Sequence, residues 1–495
     1  MQQYDHMVVG GGIGGMTLAA LLGMAGRSVL LLEKGPRIGG SMLRFSRRGI
    51  PFDTGFHFTG GFGDDGVLSD MLTVLGIADA IRPDILRHRN DNRFVFEDTG
   101  EDFALPLDYQ ELIAALKQYF PGENHAIERY FAMIDRVCDN TASMSLRANH
   151  DPPQILPESD RTLADVLDGL THNPRLKTLL AAYCTCYGTP PDQVAFANHS
   201  RICQGLYRSV ARVQGGGEAF TKALHGVLKR HHVDIRCSTS LAECTDVRDR
   251  RVGRFVLSSG EEVSANECIF TIHPRETLAI LPRAHLHKAF IDRVEGMDPS
   301  LGFFCLYGVV QNGIGDTPFS PAIISLVPDP EMRHVFRRTP AGDRIAVIMK
   351  HREAVGGNRH NVITALEAAE PEDVAKWTDS KTGRRPADYY EYKAQRRQRL
   401  EERLLARFPE YKGHLEILET ASMLTFRDYL HTPWGCAYGI GQTVGQINLF
   451  GRLPLRNLYA GGQSAVLPGI VGSMLASFFL ARTLMGRVTY REFIT

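Results

Sequence analysis

The sequence predicts an α/β protein built around a nucleotide-binding β-α-β unit with other segments inserted into it. Three observations carry this. An apolar strand, Asp5 to Val9, runs into Gly10-x-Gly12-x-x-Gly15, a small-residue helix follows to about Ala25, and a second strand, Ser28 to Leu32, ends at Glu33. Two further glycine clusters, Gly215-Gly216-Gly217 and Gly461-Gly462, lie far along the chain. With 495 residues, the chain exceeds what one compact core usually holds, so two or three lobes are expected.

Each glycine of the first motif has a mechanical role. Gly10 makes the tight turn, Gly12 lets the backbone approach a pyrophosphate, and Gly15 allows close helix–strand packing. The helix N-terminus then presents free amides and a positive dipole end to phosphates. Glu33 lies 18 residues beyond Gly15, where a carboxylate can accept hydrogen bonds from a ribose diol and disfavours a 2′-phosphate. A merely tight turn would not require that acid. The motif serves FAD and NAD alike, so the rest of the chain has to choose.

After Glu33 comes Lys34-Gly-Pro-Arg-Ile-Gly39-Gly40-Ser41, then a hairpin, then Phe52-Asp53-Thr54-Gly55-Phe56-His57. The middle glycines open a helical run, Ala219 to Lys229, and lead to strands near Val233 to Arg236 and Arg254 to Leu257. The late cluster, Tyr459-Ala-Gly461-Gly462-Gln463, precedes Pro468-Gly469-Ile-Val471-Gly472-Ser473, which opens the last long helix. A site assembled from the start, middle and end of a chain implies insertions. Residues 1–75, 205–285 and 418–495 are therefore read as a discontinuous cofactor domain, with 76–204 and 286–417 as the substrate or lid domain. The first insertion carries helical patterns at Tyr109 to Tyr119 and Ala126 to Val137 and a proline-rich loop, Asp151 to Pro157. The second carries strands near Phe303 to Val310 and Arg344 to Met349, then a charged helix, Tyr389 to Phe408.

Composition excludes several classes. Apolar residues make up 43% and charged residues 23%, a globular rather than disordered balance. Lys plus Arg equals Asp plus Glu at 56 each, so no overall field recruits nucleic acid. Nine scattered cysteines without a CxxC pair fit a reducing compartment, and no ligand spacing points to a metal, Cys184-x-Cys186 and His231-His232 included. The start lacks the flanks of a signal peptide, and Ile470 to Met485 carries Arg482 and falls short of the roughly 20 residues of a membrane span. A cytoplasmic protein is expected. Neither Gly-x-Ser-x-Gly nor HExxH occurs, so hydrolase readings have no support.

Several segments carry a resemblance: Phe52 to His57, Phe120-Pro-Gly-Glu123, Phe408-Pro409, Thr420 to Leu430, Pro433-Trp-Gly435-Cys-Ala-Tyr438-Gly439 and Gly462-Gln463. Together with the nucleotide motif, the chain resembles the FAD-dependent carotenoid and retinoid desaturases, saturases and isomerases, most in the saturase and isomerase branch. It departs from them where Ser422-Met423 replaces the family's Thr-Pro, and Ser41 stands where desaturases and amine oxidases place Arg. The resemblance implies FAD as cofactor. It also implies an α/β fold with a Rossmann-type FAD-binding domain, amine oxidase or phytoene desaturase-like, and an inserted α+β substrate domain. Carried over by residue, it puts Gly10, Gly12, Ile13, Gly14 and Gly15 at the diphosphate and Glu33, followed by Lys34, at the adenosine ribose. Gly40 and Ser41 would lie under the diphosphate and the Leu241 backbone at the adenine. Gly462 and Gln463 would lie by the ribityl arm. Val471 and Gly472 would bring a helix N-terminus to the flavin pyrimidine edge, where its dipole favours negative charge on the ring.

The function this implies is an oxidoreductase acting on carbon–carbon double bonds of an apolar isoprenoid or polyene, by desaturation, saturation or isomerisation. Unpolarised double bonds need few catalytic side chains, and orientation in an apolar tunnel would do much of the work. His57 and Tyr438 are the candidate catalytic residues; a hydrogen-bonded structural role is open for each. Asp5 and His6 read as surface positions, and Lys393 to Arg407 as a solvated helix face or a peripheral membrane contact. No second GxGxxG is present, so the electron partner stays open among a quinone, a redox protein and NAD(P)H. Two alternatives remain: a flavin amine oxidase or protoporphyrinogen-type oxidase, and a non-catalytic lipid escort protein of the GDP-dissociation-inhibitor type.

Overall fold

A computed structural model describes residues 2–63, 66–141, 146, 160–313, 319–339 and 342–494. The proline-rich segment Asp151 to Pro157 lies outside the described residues.

Two large sheets organise the chain. The first has eight strands. Its centre is parallel: Gln2–Val9 pairs with Val29–Leu32 on one side and Glu262–Phe270 on the other, Asp234–Arg236 extends it beyond Val29–Leu32, and Leu458–Ala460 joins the end of Glu262–Phe270. The run Val29-Leu30-Leu31-Leu32 is buried on both faces, as a parallel sheet covered by helices requires. Helices Ile13–Met24 and Gly469–Met485 share one core with Gly217–Arg230; Ile13–Met24 is apolar nearly all round because it is enclosed on all sides, and Gly469–Met485 is so until Arg482 and Thr483 emerge in its last turn. Ser477, buried, donates its hydroxyl to the Gly14 carbonyl at 2.7 Å.

The second sheet has seven strands in the order Leu415–Ala421, Gly302–Val310, Asn358–Ala369, Ala346–Val355, Ala322–Val327, Asn92–Phe96, Asp102–Ala104. Strand alternation assigns its faces. Phe304, Leu306, Ile324, Leu326 and Ile348 pack against Leu400 and Leu404 of helix Ala387–Arg407. Phe303, Cys305 and Tyr307 face the other way, toward Ile50 and Phe52 of the hairpin. Helices Asn124–Asp139, Leu163–Leu170, Pro174–Ala181 and Phe196–Arg208 form the largest core, against Phe94, Phe96, Val327 and Met349.

Three sequence expectations change. Residues 418–421 belong to the second sheet, through the pairing of Leu415–Ala421 with Gly302–Val310, while Val294 and Met297 extend the core of the first sheet beyond residue 285. His6 is buried, not superficial, with Nδ1 3.3 Å from Glu267. The charged helix is no simple solvated face. Arg403 is buried and forks onto Glu97 at 3.0 and 2.6 Å, and it meets Glu367 at 2.9 Å. Glu367, itself 1% exposed, also binds Arg396, and Arg399 grips Asp343 through two bonds of 2.9 and 2.7 Å. Helical spacing alone could not reveal these partners, which lie 29 to 306 residues away in sequence.

Breaking such a buried pair leaves an uncompensated charge, a cost of about 3–5 kcal/mol. Arg403→Met should therefore lower the denaturant midpoint strongly, whereas Arg397→Ala, which removes only an exposed partner 3.7 Å from Glu401, should shift stability by no more than about 0.5 kcal/mol. Urea titration followed by far-ultraviolet dichroism compares the two.

Candidate functional site

One cavity of about 670 Å³ runs along the carboxyl edge of the parallel sheet and into the gap between the two sheets. The location follows from topology: in open α/β sheets the loops leaving the carboxyl ends of the strands converge and leave a crevice. Every position singled out as nucleotide-binding borders it: Gly10, Gly12, Ile13, Gly14, Gly15, Glu33, Lys34, Gly40, Ser41, Leu241, Gly462, Gln463, Val471 and Gly472.

The first turn is shaped by contacts only glycine allows. A Cβ on Gly15 would lie 1.9 Å from the Gly10 carbonyl, and one on Gly14 would come within 3.2 Å of Gly462. Gly10 sits at φ +110°, which L side chains rarely adopt. Gly12 differs, since a Cβ there would meet nothing within 4 Å. Its missing side chain leaves room on the cavity side rather than in the fold, as close approach of a ligand to the backbone demands. Gly12 also caps helix Ile13–Met24 in extended conformation, with no side-chain cap on the first amides, so free N–H groups are left for an anion.

Glu33 is held from two sides: the Gly11 amide donates to one carboxylate oxygen at 2.8 Å and the Gly35 amide to the other at 2.6 Å. Its carbonyl accepts from Thr239 at 2.9 Å, bringing in the loop before Leu241. Gly39 donates to the Gly11 carbonyl at 2.7 Å, and a Cβ on Gly40 would come 3.3 Å from the Gly12 Cα. The Ser41 carbonyl accepts from Gly55 at 3.0 Å. At the far end, a Cβ on Gly462 (φ +80°) would come 2.6 Å from the Thr271 carbonyl, Gln463 donates its side-chain amide to the Ala437 carbonyl at 2.8 Å, and Val471 and Gly472 lie in the first turn of helix Gly469–Met485.

Asp53 explains why the segment to His57 lies where it does. Buried, it pairs with Arg44 at 3.2 Å and Arg212 at 3.3 Å and accepts from the Gly217 amide at 3.2 Å. Arg44 in turn reaches Glu353 at 2.6 Å, tying the hairpin to the second sheet. His57 follows on the cavity wall. Burial, with Arg212 nearby, depresses its pKa to about 3, so near neutral pH it is uncharged. Tyr438 also borders the cavity, but its hydroxyl donates to the Thr185 carbonyl at 3.2 Å, and burial pushes its pKa far up. The phenol is therefore already engaged and stays protonated.

Sequence reasoning missed part of the wall. Thr271, Ile272 and His273 continue the strand Glu262–Phe270 into the cavity; the signal was the Pro274 that starts the next helix. His273 accepts from the Arg275 amide through Nδ1 at 3.2 Å, and burial lowers its pKa to about 4. Phe303, Cys305, Val347 and Leu366 supply an apolar surface from the second sheet, and Cys186, Arg201 and Leu206 supply the helical side. Only pairing between distant strands brings these together. Among the described residues no cluster of side chains could hold a metal, and no helix is long and apolar enough to cross a membrane.

Residues 8–75 match the family model of the NAD(P)-binding Rossmann-like domain. The chain is 23% identical over 548 residues to the all-trans-retinol 13,14-reductase of Homo sapiens, covering 99% of this chain and 87% of that protein. It is 26% identical over 286 residues to prolycopene isomerase 2 of an Oncidium hybrid cultivar, covering 54% of this chain and 48% of that protein. Among solved structures, putrescine oxidase bound to putrescine superposes with a TM-score of 0.66 at 14% identity, covering 98% of this chain and 99% of that one, which establishes a common fold.

Two predictions follow from these contacts. Gly12→Ala should fold normally yet lose dinucleotide, since its Cβ enters only the ligand's space, whereas Gly15→Ala should lower the thermal midpoint because its Cβ strikes the Gly10 carbonyl; bound-cofactor absorbance and melting curves separate the two. His57 and His273 have native pKa values below that of an unfolded histidine, about 6.5. The unfolded chain thus binds more protons, and stability is lost as pH falls below about 6.5, by up to about 1.4 kcal/mol per pH unit for each. Melting from pH 7 to 5 should show this fall, and His57→Asn should make it shallower.

Proposed function

As a member of the FAD-dependent carotenoid and retinoid desaturase, saturase and isomerase family, this chain is, we propose, an oxidoreductase that binds FAD and acts on carbon–carbon double bonds of an apolar polyene. The observation that carries this reading is the continuity of the cavity: one end is a dinucleotide cradle of glycine turns and an oriented carboxylate, the other an apolar sheet face, with no charged acid–base pair between them.

The residues present fit the cofactor. The open space at Gly12 is what a diphosphate would fill, with the amides of Ile13, Gly14 and Gly15 and the neighbouring Gly10, Gly40 and Ser41 around it. Glu33, already aligned by two amides, keeps lone pairs for a ribose diol, with Lys34 beside it and Leu241 at the adenine. Gly462 and Gln463 would flank the ribityl arm, and the first turn of helix Gly469–Met485, at Val471 and Gly472, would present its positive dipole end to the ring. When bound, FAD supplies the two-electron chemistry that side chains lack.

The protein's part is positioning and exclusion of water. Phe303, Cys305, Val347 and Leu366 form a wall that a conjugated chain can lie against, and binding there fixes the reacting carbons without polar contacts. His57, neutral at working pH, keeps charge out of the apolar stretch, and Tyr438 serves as wall rather than acid. The relatives named for retinol reduction and prolycopene isomerisation act on substrates of this kind, and saturation, desaturation and isomerisation all suit this geometry.

The test is a visible spectrum of the purified protein, followed by anaerobic reduction and reoxidation in the presence of retinoids and carotenoids. Bound flavin whose bands respond to a polyene, with a product mass shifted by two hydrogens or an isomer of unchanged mass, is the expected result. Flavin indifferent to every polyene would overturn the substrate, and a protein that neither holds nor takes up FAD would overturn the enzyme.

A further inference from the structure

The charged groups bordering the cavity are unevenly placed. Glu33, Lys34, Arg37 and Glu276 gather at the adenosine end, where Glu276 feels both Lys34 and Glu33. On the helical side of the apolar half, Arg201 is the charged group. It belongs to helix Phe196–Arg208, one turn before Gly205, whose backbone abuts Gly60.

Arg201 is held, but not neutralised. Its Nε donates to the Thr141 hydroxyl at 3.1 Å and one Nη to the Asn198 side-chain carbonyl at 2.9 Å. Both acceptors are uncharged, and among the described residues no carboxylate pairs with it. The remaining Nη makes no hydrogen bond among the described residues. The nearest charges on the packed elements do not compensate: burial is the dominant influence and lowers the guanidinium's pKa, opposed only by Cys138, a thiol itself pushed up to about 12. A cation removed from bulk water without a counter-ion is costly. Three arginines with more fully buried side chains, Arg44, Arg344 and Arg403, each meet carboxylates, whereas half-buried Arg201 meets only neutral acceptors among the described residues. The two neutral acceptors hold the guanidinium at the cavity wall through Nε and one Nη, and the other Nη is left to make charge-assisted bonds to an oxyanion.

We infer that Arg201 is a specificity-determining residue that binds the carboxylate of an amphipathic polyene acid, whose hydrocarbon lies along the Phe303 face. This rests on the polyene reading and narrows its substrate class from neutral hydrocarbon or alcohol to polyenes carrying an anionic terminus. The phosphates of the cofactor have their own amides at Gly12 to Gly15, so the ligand of Arg201 is the substrate. Loss of a charge-assisted hydrogen bond corresponds to about 10- to 100-fold in affinity.

The experiment measures binding of all-trans-retinoic acid and all-trans-retinol to the FAD-loaded full chain, by quenching of protein fluorescence, for the natural protein, Arg201→Gln and Arg201→Lys. The natural protein should prefer the acid by tenfold or more, Arg201→Gln should abolish the preference, and Arg201→Lys should retain part of it, with flavin content and melting temperature unchanged in all three. Equal binding of acid and alcohol by the natural protein would overturn the inference while leaving the polyene reading standing. Binding of neither would overturn both. Equal loss of both ligands in Arg201→Gln, or release of flavin from it, would also overturn the inference, assigning the residue to fold or cofactor instead.

Discussion

The approach of the first helix to the strand before it is the constraint on which the rest depends. At Gly15 the helix comes so near the Gly10 carbonyl that no side chain fits between them. That closeness sets the helix N-terminus at the strand's carboxyl end, which aims its free amides into the crevice. The last helix packs on the same spot through Gly14, Gly462 and the Ser477 hydroxyl. A turn from the start of the chain and one from its end are therefore locked together, and the inserted segments between them must close over the opening they form.

The second sheet closes it through strand alternation. In Gly302–Val310, Phe304 and Leu306 bury against the charged helix, so Phe303 and Cys305 must face the cavity. The same geometry that stabilises the lobe makes the apolar wall, and no separate device is needed to exclude water. The hairpin joins the two sheets, with Asp53 shared by Arg44 and Arg212 and Arg44 shared with Glu353. Each of these charges is satisfied at the join and so is kept out of the cavity.

Electrostatics sort the cavity into two halves with different chemistry. Around the nucleotide cradle, Glu33 is fixed by backbone amides and Lys34 and Glu276 lie close. Toward the second sheet, the histidines are uncharged because burial outweighs the protonated form, and Tyr438 is tied to a carbonyl. Water and ions would compete poorly there, and orientation of an apolar chain becomes the main contribution that the protein can make. Arg201 stands out against this background because, among the described residues, its charge has no carboxylate partner.

How much was legible in the sequence follows from the range of each signal. The β-α-β unit, the spacing from Gly15 to Glu33, and the glycine turns at Gly39-Gly40 and Gly461-Gly462 are local patterns, because φ angles and close backbone approaches are written in which residues lack a Cβ. The amphipathic helices were legible through periodicity and the strand Gly302–Val310 as a continuous apolar run. What only the tertiary structure decided depends on partners far away in the chain. His6 is buried because the strand Glu262–Phe270 covers it. Residues 393–407 carry buried ion pairs because Glu97, Asp343 and Glu367 come from three different segments. The cavity's apolar wall and Arg201 meet the glycine cradle only once two sheets have packed. A sequence records which residues can bend the backbone or alternate across a strand, whereas burial and charge pairing are properties of the neighbours that folding supplies.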